Sequence, residues 1–192
     1  MHYIEAINQF IPKTEQQKQT KKVILDYLET YGDQVLIREN EIAHLTSSGF
    51  VMNESLDKVL MIYHHLFNSF AWTGGHADGD CDLLEVAMKE ACEETGIKQV
   101  KPLSHDIISL DILPVWGHFK KGNYVTAHLH LNTAYLLIAS VDETLVVKED
   151  ENSAVEWISV TEIEKRCTEP ELIPIYHYLI EQAKQINENR LA

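Results

Sequence analysis

The spacing of apolar residues changes twice along this chain. Near the start Ile4, Ile7, Phe10 and Ile11 share one helical face until Pro12 interrupts it. Thr14 and Gln17 have the form of a capping box, and Thr20, Val23, Ile24, Tyr27, Leu28 and Tyr31 continue a helical stripe that Gly32 stops. A further short helix is expected around Val35 and Ile37. From Ser48 the period becomes that of strands. Residues 49–52 and 59–64 flank Asn53, Glu54 and Ser55, which is a hairpin signal. Phe70, Ala71 and Trp72 form a short strand. Residues 97–113 read as strand with breaks at Pro102 and Pro114, residues 120–123 as a turn, and residues 124–139 as one long, bent strand. Shorter strands are expected at 145–147 and 154–160. Thr161 with Glu164 caps a short helix, and Thr168 with Glu171 caps a last one over about 171–187, with Pro170 in its first turn. Strands interleaved with helices fit an α/β sandwich.

Between these strands lies the most informative stretch, residues 74–97. A glycine-rich loop runs into an acidic amphipathic helix. Asp82 and Glu85 cap it, so it begins at about Leu83, and Gly96 is its natural stop. Leu84, Ala87, Met88 and Ala91 share a face expected to turn inward. Glu90, Glu93 and Glu94 stand at i, i+3 and i+4 and cluster on the surface. Three carboxylates on one patch repel, and they gather at the helix end where the macrodipole disfavours negative charge. A divalent cation such as Mg²⁺, which takes oxygen ligands and retains substrate phosphates, would offset both penalties. A solvated acidic face is the other reading of the triad.

Composition narrows the partners. With 192 residues, 45% of them apolar, the chain holds one domain with extensions and a substantial core. A formal net charge of −14 argues against a nucleic-acid surface and against an anionic membrane surface. No apolar run approaches the roughly 20 residues of a membrane helix, and the first residues lack a signal-peptide pattern. Cys81, Cys92 and Cys167 form no metal-type spacing, which fits a reducing cytoplasm and small, partly buried side chains.

Residues 74–97 as a whole closely resemble the Nudix box: Gly, five residues, Glu, seven residues, Arg-Glu-aliphatic-any-Glu-Glu-any-Gly-aliphatic. Gly75, Glu90, Ala91, Glu93, Glu94, Gly96 and Ile97 fit at the right spacing. Cys81 stands where the family has Glu, Lys89 where it has Arg, and Thr73 where a Pro often precedes the glycines. The resemblance extends loosely over residues 49–159. It implies an α/β/α sandwich with a mixed sheet over residues 46–192, and residues 1–45 form a helical extension outside it. That extension is read as a cap packed on the domain, with a dimerisation arm, and so a homodimer, as the other reading.

The resemblance also implies the chemistry. The family cleaves a diphosphate linked to another moiety, X, by attack of water at phosphorus, using metal ions that neutralise phosphate oxygens and activate water. Glu90 and Glu94 then look like the principal ligands of Mg²⁺, with Mn²⁺ as its substitute. Glu93 looks like a third ligand or water-orienting group, and the Gly74 carbonyl like a backbone ligand. Lys89 keeps a cation one turn before Glu93 but lacks the fork of Arg. A further acid often comes from a loop; Glu149, Asp150 and Glu151 are available, and Glu151 is chosen by its spacing to Trp157. Cys81 cannot replace a carboxylate acceptor, so Asp80, Asp82 or Glu85 would have to compensate.

The histidines form a second feature. His128, His130 and Asn132 point to one face of a strand. A strand histidine is ordinarily packed and hydrogen-bonded; the functional reading places His128 or His130 in the substrate cleft, and a third puts a transition metal among them with His76 and Asp78. Trp116, Phe119 and Tyr124 are candidates to stack a nucleobase, although aromatics at strand ends usually belong to the core. The leading expectation is a Mg²⁺-dependent hydrolase of a small-molecule nucleoside diphosphate derivative. The alternatives are a non-catalytic Nudix-like domain that senses a nucleotide or sugar, and an enzyme like isopentenyl-diphosphate isomerase.

Overall fold

Side-chain caps start the first two helices. His2 accepts from the Ile4 amide ahead of α1 (Tyr3–Gln9), and Thr14 accepts from Gln17 ahead of α2 (Glu15–Tyr31). A 3₁₀ turn over Gly32–Leu36 follows, close to the short helix expected there. The computed structural model describes residues 1–64, 68–120, 122–148 and 152–191. Among these, no helix is long and apolar enough to cross a membrane.

The centre of the fold is β1 (Ala43–Met52), buried along its whole length. It begins in a segment expected to be helical, because its first half carries polar residues that give no apolar signal. One edge of β1 pairs in parallel with β9 (His128–Ile138), from Ala43↔Leu129 to Met52↔Ile138. The other edge is shared. Its C-terminal end pairs with β2 (Lys58–His64), and its middle with β4 (Thr73–His76), both antiparallel. β3 (Ser69–Ala71) and β10 (Asn152–Ser159) join β2, while β5 (Lys101–Pro102) and β6 (Ser109–Val115) join the far edge of β9. A separate hairpin, β7 (His118–Lys120) with β8 (Asn123–Val125), stands beside them.

Helices cover both faces. On one side α3 (Leu83–Thr95) and the N-terminal helices share a core with Leu45, Val51 and Leu137. On the other, α4 (Ile163–Arg166) and α5 (Ile173–Leu191) pack against Phe50, Met52 and Leu136. This is a mixed sheet between helical layers, as the resemblance implies.

Several local expectations are corrected. Pro114 lies within β6 rather than breaking it, on a strand paired on one side by β9, where a missing donor is tolerated. Residues 124–139 form two strands, β8 and β9, instead of one. Leu145, Val146 and Val147 form no strand: the Val146 amide bonds to the Thr95 carbonyl at 2.8 Å, and its side chain lies against Gly96. The short helix starts at Ile163 with no side-chain cap from Thr161. The last helix starts at Ile173, beyond Pro170.

Candidate active site

Alternation along β1 and β9 builds the cleft. Phe50 and Met52 on β1, with Ala134 and Leu136 on β9, lie under α5. The same face continues toward the other end of the strands as His44, Thr46 and Ser48, and as His128, His130 and Asn132. A single sheet face is therefore apolar at one end and polar at the other. Over the polar end lies a cavity of about 460 Å³, also lined by Gly74, Gly75, His76, Glu94, Lys120, Tyr124 and Glu169. Asn132 ties its floor together: its Oδ1 accepts from the Thr46 and Ser48 hydroxyls, each at 2.9 Å.

The acidic helix reaches this cleft past the glycines of β4. Asp82 accepts from the Glu85 amide at 3.4 Å, and Gly96 closes the helix in the left-handed conformation, as the capping pattern predicts. The inward face is rotated from the expected one. Leu83, Val86, Ala87 and Ala91 are buried, and Leu84 and Met88 only partly so. The rotation carries Glu94 inward with Thr95. Glu94 is 3% exposed, and its carboxylate accepts from the Gly74 amide at 2.9 Å. Glu90 is half-buried against Gly75, where an added Cβ would meet its Oε1 at 2.5 Å. Glu93 is exposed, with Lys89 Nζ 3.9 Å from its Oε1. The acids thus do not share one surface patch: Glu90 and Glu94 face the glycines, and Glu93 faces solvent beside Lys89. An oxygen-only donor set of two carboxylates against a glycine backbone fits a hard divalent cation.

Of the acids expected to compensate for Cys81, two are committed elsewhere. Asp82 caps α3 and pairs with the N-terminal amine, and Asp80 accepts from the Asp82 amide at 2.9 Å. Cys81 itself packs beside the hydrophobic core. Glu149, Asp150 and Glu151, including the chosen loop acid, lie outside the described residues.

Glu169 was not anticipated. It precedes Pro170 at the approach to α5, lines the cleft, and holds a buried Oε2 with no hydrogen-bond partner among the described residues. Burial, and then the charge of Glu171, pushes its carboxyl up to about 7. The signal available in the sequence was an acid on each side of Pro170, which reads equally as a cap. Trp116, Phe119 and Tyr124 are exposed rather than core. Phe119 and Tyr124 meet edge to face at 5.3 Å on the β7–β8 hairpin, and Tyr124 reaches the cleft.

His128 and His130 are brought together with two more histidines. His44 on β1 and His76 on β4 complete a group whose nitrogens, one from each ring, all lie within 4.8 Å of one another. Asp78 is not part of it; its carboxylate holds the Arg38 guanidinium through two contacts of 2.7 and 2.5 Å. Burial, followed by the Arg38 charge, pushes His76 down to about 3. Burial, followed by the charge of His76, pushes His130 down to about 2. Burial also lowers His44. His76 and His130 are therefore neutral at physiological pH.

The family model for the NUDIX domain matches residues 43–179. No curated protein is similar enough in sequence to count as a match. Among solved structures, a NUDIX family hydrolase from Clostridium perfringens superposes with a TM-score of 0.51 at 20% identity, covering 72% of this chain and 97% of that one. The E. coli dihydroneopterin triphosphate pyrophosphohydrolase gives 0.52 at 15% identity over 72% of this chain and 92% of that one. The NUDIX domain of Shewanella oneidensis NrtR, complexed with ADP ribose, gives 0.51 at 15% identity over 82% and 97%. At these identities the structural likenesses show the fold.

Proposed function

The chain belongs to the Nudix family, and from that premise we propose that it hydrolyses a diphosphate bond in a nucleoside diphosphate linked to another moiety, with Mg²⁺ as cofactor and Mn²⁺ as its substitute. The observation that carries this reading is the buried Glu94 carboxylate, anchored on the Gly74 amide at the cleft, with Glu90 packed beside it on Gly75. Glu90, Glu93, Glu94 and the Gly74 carbonyl would hold the cation, which when bound neutralises phosphate oxygens and lowers the pKa of its water.

The chain's own residues supply positioning. The Gly74 amide fixes the Glu94 carboxylate, and Gly75 leaves room for Glu90. Glu93, held loosely by Lys89, orients water. Glu151 remains assigned as the loop acid. Glu169, with a carboxyl near neutrality inside the cleft, holds or gives a proton at Oε2. His128 and His130 face the phosphates or base, and Tyr124 offers a stacking surface. ADP ribose in the NrtR domain supports a nucleotide-linked ligand for this fold.

A second reading, a nucleotide-binding sensor without turnover, is favoured by one feature: beside Cys81, Asp82 caps a helix and Asp80 accepts from the Asp82 amide, instead of lining the cleft. A panel of nucleoside diphosphate derivatives with Mg²⁺ separates the two. Release of phosphate or nucleoside monophosphate, abolished by Glu94→Gln, supports hydrolysis; tight binding without release across the panel supports the sensor. Full turnover by Glu94→Gln would refute the role given to Glu94.

A further inference from the structure

We propose that His44, His76, His128 and His130 together bind one divalent transition-metal ion of the Zn²⁺ class, at a site distinct from the acidic cation site. The first support is convergence. Three strands that are not consecutive in the chain deliver four rings to one point: β1 brings His44, β4 brings His76, and β9 brings His128 and His130. Ring centroids of neighbouring histidines lie 4.9 to 5.4 Å apart. A tetrahedral zinc site with Zn–N bonds of about 2.0–2.1 Å has N···N edges of about 3.4 Å. His128 Nε2 and His130 Nε2 already stand 3.3 Å apart, and one nitrogen from each of the four rings lies within 4.8 Å of the others. Small side-chain rotations close the remainder.

The second support is tautomer control. His44 Nδ1 lies 3.0 Å from the Asn40 carbonyl, and His128 Nδ1 lies 2.8 Å from the Thr126 carbonyl. A carbonyl only accepts, so each Nδ1 carries the proton and each Nε2 keeps its lone pair. A second-shell carbonyl of this kind accompanies metal-bound histidine almost everywhere.

The third support is an unmet need. His44 is 4% exposed, and its Nε2 has no hydrogen-bond partner among the described residues. A buried lone pair without a donor is costly, and an ion at the centre of the group would satisfy it.

The donor set chooses the ion. Four imidazoles select Zn²⁺ and its transition-metal neighbours over Mg²⁺, whereas the carboxylates at Gly74 and Gly75 prefer the hard cation. Four neutral ligands leave the full double charge of the ion in place. It would face the same cleft as Lys120 and attract the anionic part of a ligand on a strongly acidic protein. In this arrangement His128 and His130 act on a substrate through the ion. The site does not require that the acidic set bind Mg²⁺ or that the protein be a hydrolase.

The test uses the full, untagged chain stripped with a chelator, then titrated with Co²⁺ and with Zn²⁺. The expected result is one tightly bound ion per chain, an intense visible spectrum of tetrahedral Co²⁺, and its loss on adding Zn²⁺. X-ray absorption of the zinc form should show four nitrogen neighbours at about 2.0–2.1 Å with imidazole outer-shell scattering. The His128→Ala/His130→Ala pair should weaken Zn²⁺ binding at least about 100-fold. Glu90→Gln/Glu94→Gln should leave the Co²⁺ spectrum intact while failing in Mg²⁺-dependent turnover. No stoichiometric Zn²⁺, or oxygen neighbours in the zinc spectrum of the unaltered chain, would overturn the proposal even if the histidine pair variant does not fold. So would loss of the Co²⁺ spectrum in the glutamate pair variant alone.

Discussion

The Glu94 carboxylate accepts a hydrogen bond from the Gly74 amide at 2.9 Å, so the end of the acidic helix is fastened to the strand that opens the cleft. This contact explains how a carboxylate 3% exposed is tolerated near a helix C-terminus. Charge-neutral replacement by Glu94→Gln keeps the shape and an acceptor but loses the negative charge. Mg²⁺-dependent turnover should fall at least about 100-fold, with the melting temperature moving little. Steady-state kinetics over a Mg²⁺ series, beside a thermal melt, checks both halves.

Adjacent glycines should fail differently. A Cβ at Gly74 would meet the Ser47 carbonyl at 2.8 Å and the Ser48 Cα at 2.9 Å, which are backbone atoms that cannot step aside. Gly74→Ala should therefore destabilise the fold by about 1–3 kcal/mol. At Gly75 the obstacle is the Glu90 side chain, which can rotate away. Gly75→Ala should cost less stability and instead raise the Mg²⁺ concentration needed for half-maximal rate. Denaturant melts and metal titrations of the two variants separate the effects.

Asn132 is 1% exposed and accepts two hydroxyl hydrogen bonds at once. Asn132→Ala would leave the Thr46 and Ser48 hydroxyls without that acceptor beneath the cleft and open a small void. A loss of about 2–4 kcal/mol is expected by urea unfolding.

Glu169 makes stability depend on pH in a defined sense. Its carboxyl stands near 7 in the folded protein, against an ordinary value of 4.5. Between these values the folded state holds the proton more firmly than the unfolded state. This group's contribution therefore favours folding below about pH 4.5 and declines as pH rises toward 7. In Glu169→Gln that decline should disappear, and the variant should be the more stable one at pH 8. Melting curves of both proteins from pH 5 to 8 test the sign.

Lys89 and Glu93 are both exposed, and 3.9 Å separates their charged atoms. Lys89→Ala should change stability by less than about 0.5 kcal/mol. If Lys89 orients Glu93, kcat should fall while KM holds. Lys89→Arg, with its bidentate fork, should restore or exceed the starting rate. Equal kcat in all three proteins would remove Lys89 from the site.

The acidic helix was legible because its caps are local: Asp82 and Gly96 need no distant partner to do their work. Its orientation was not, since packing against β1 and β4 chose Leu83 and Val86 over Leu84 and Met88. The hairpin after β1 was legible from its turn residues, yet the first half of β1 was hidden. Its cleft-facing sequence of His44, Thr46 and Ser48 carries the period of a strand in polar residues, where an apolar search is silent. His44 was missed for that reason. His128 and His130 could be placed on one face from alternation, but only the pairing of β1 with β9 shows what that face meets. Val146 misled because apolar residues also fill gaps beside glycine without joining a sheet.

The parallel ladder between β1 and β9 bears on how the protein is made and lost. Thr46 and Asn132, which meet in the cleft floor, are separated by 86 positions along the chain. Loop closure over that distance must precede any ligand pocket. A nascent chain has the acidic helix long before it has the other wall, so early folding species should be inert. On heating, the first event that detaches β9 should silence the protein, and ligand affinity should vanish together with global order instead of fading ahead of it.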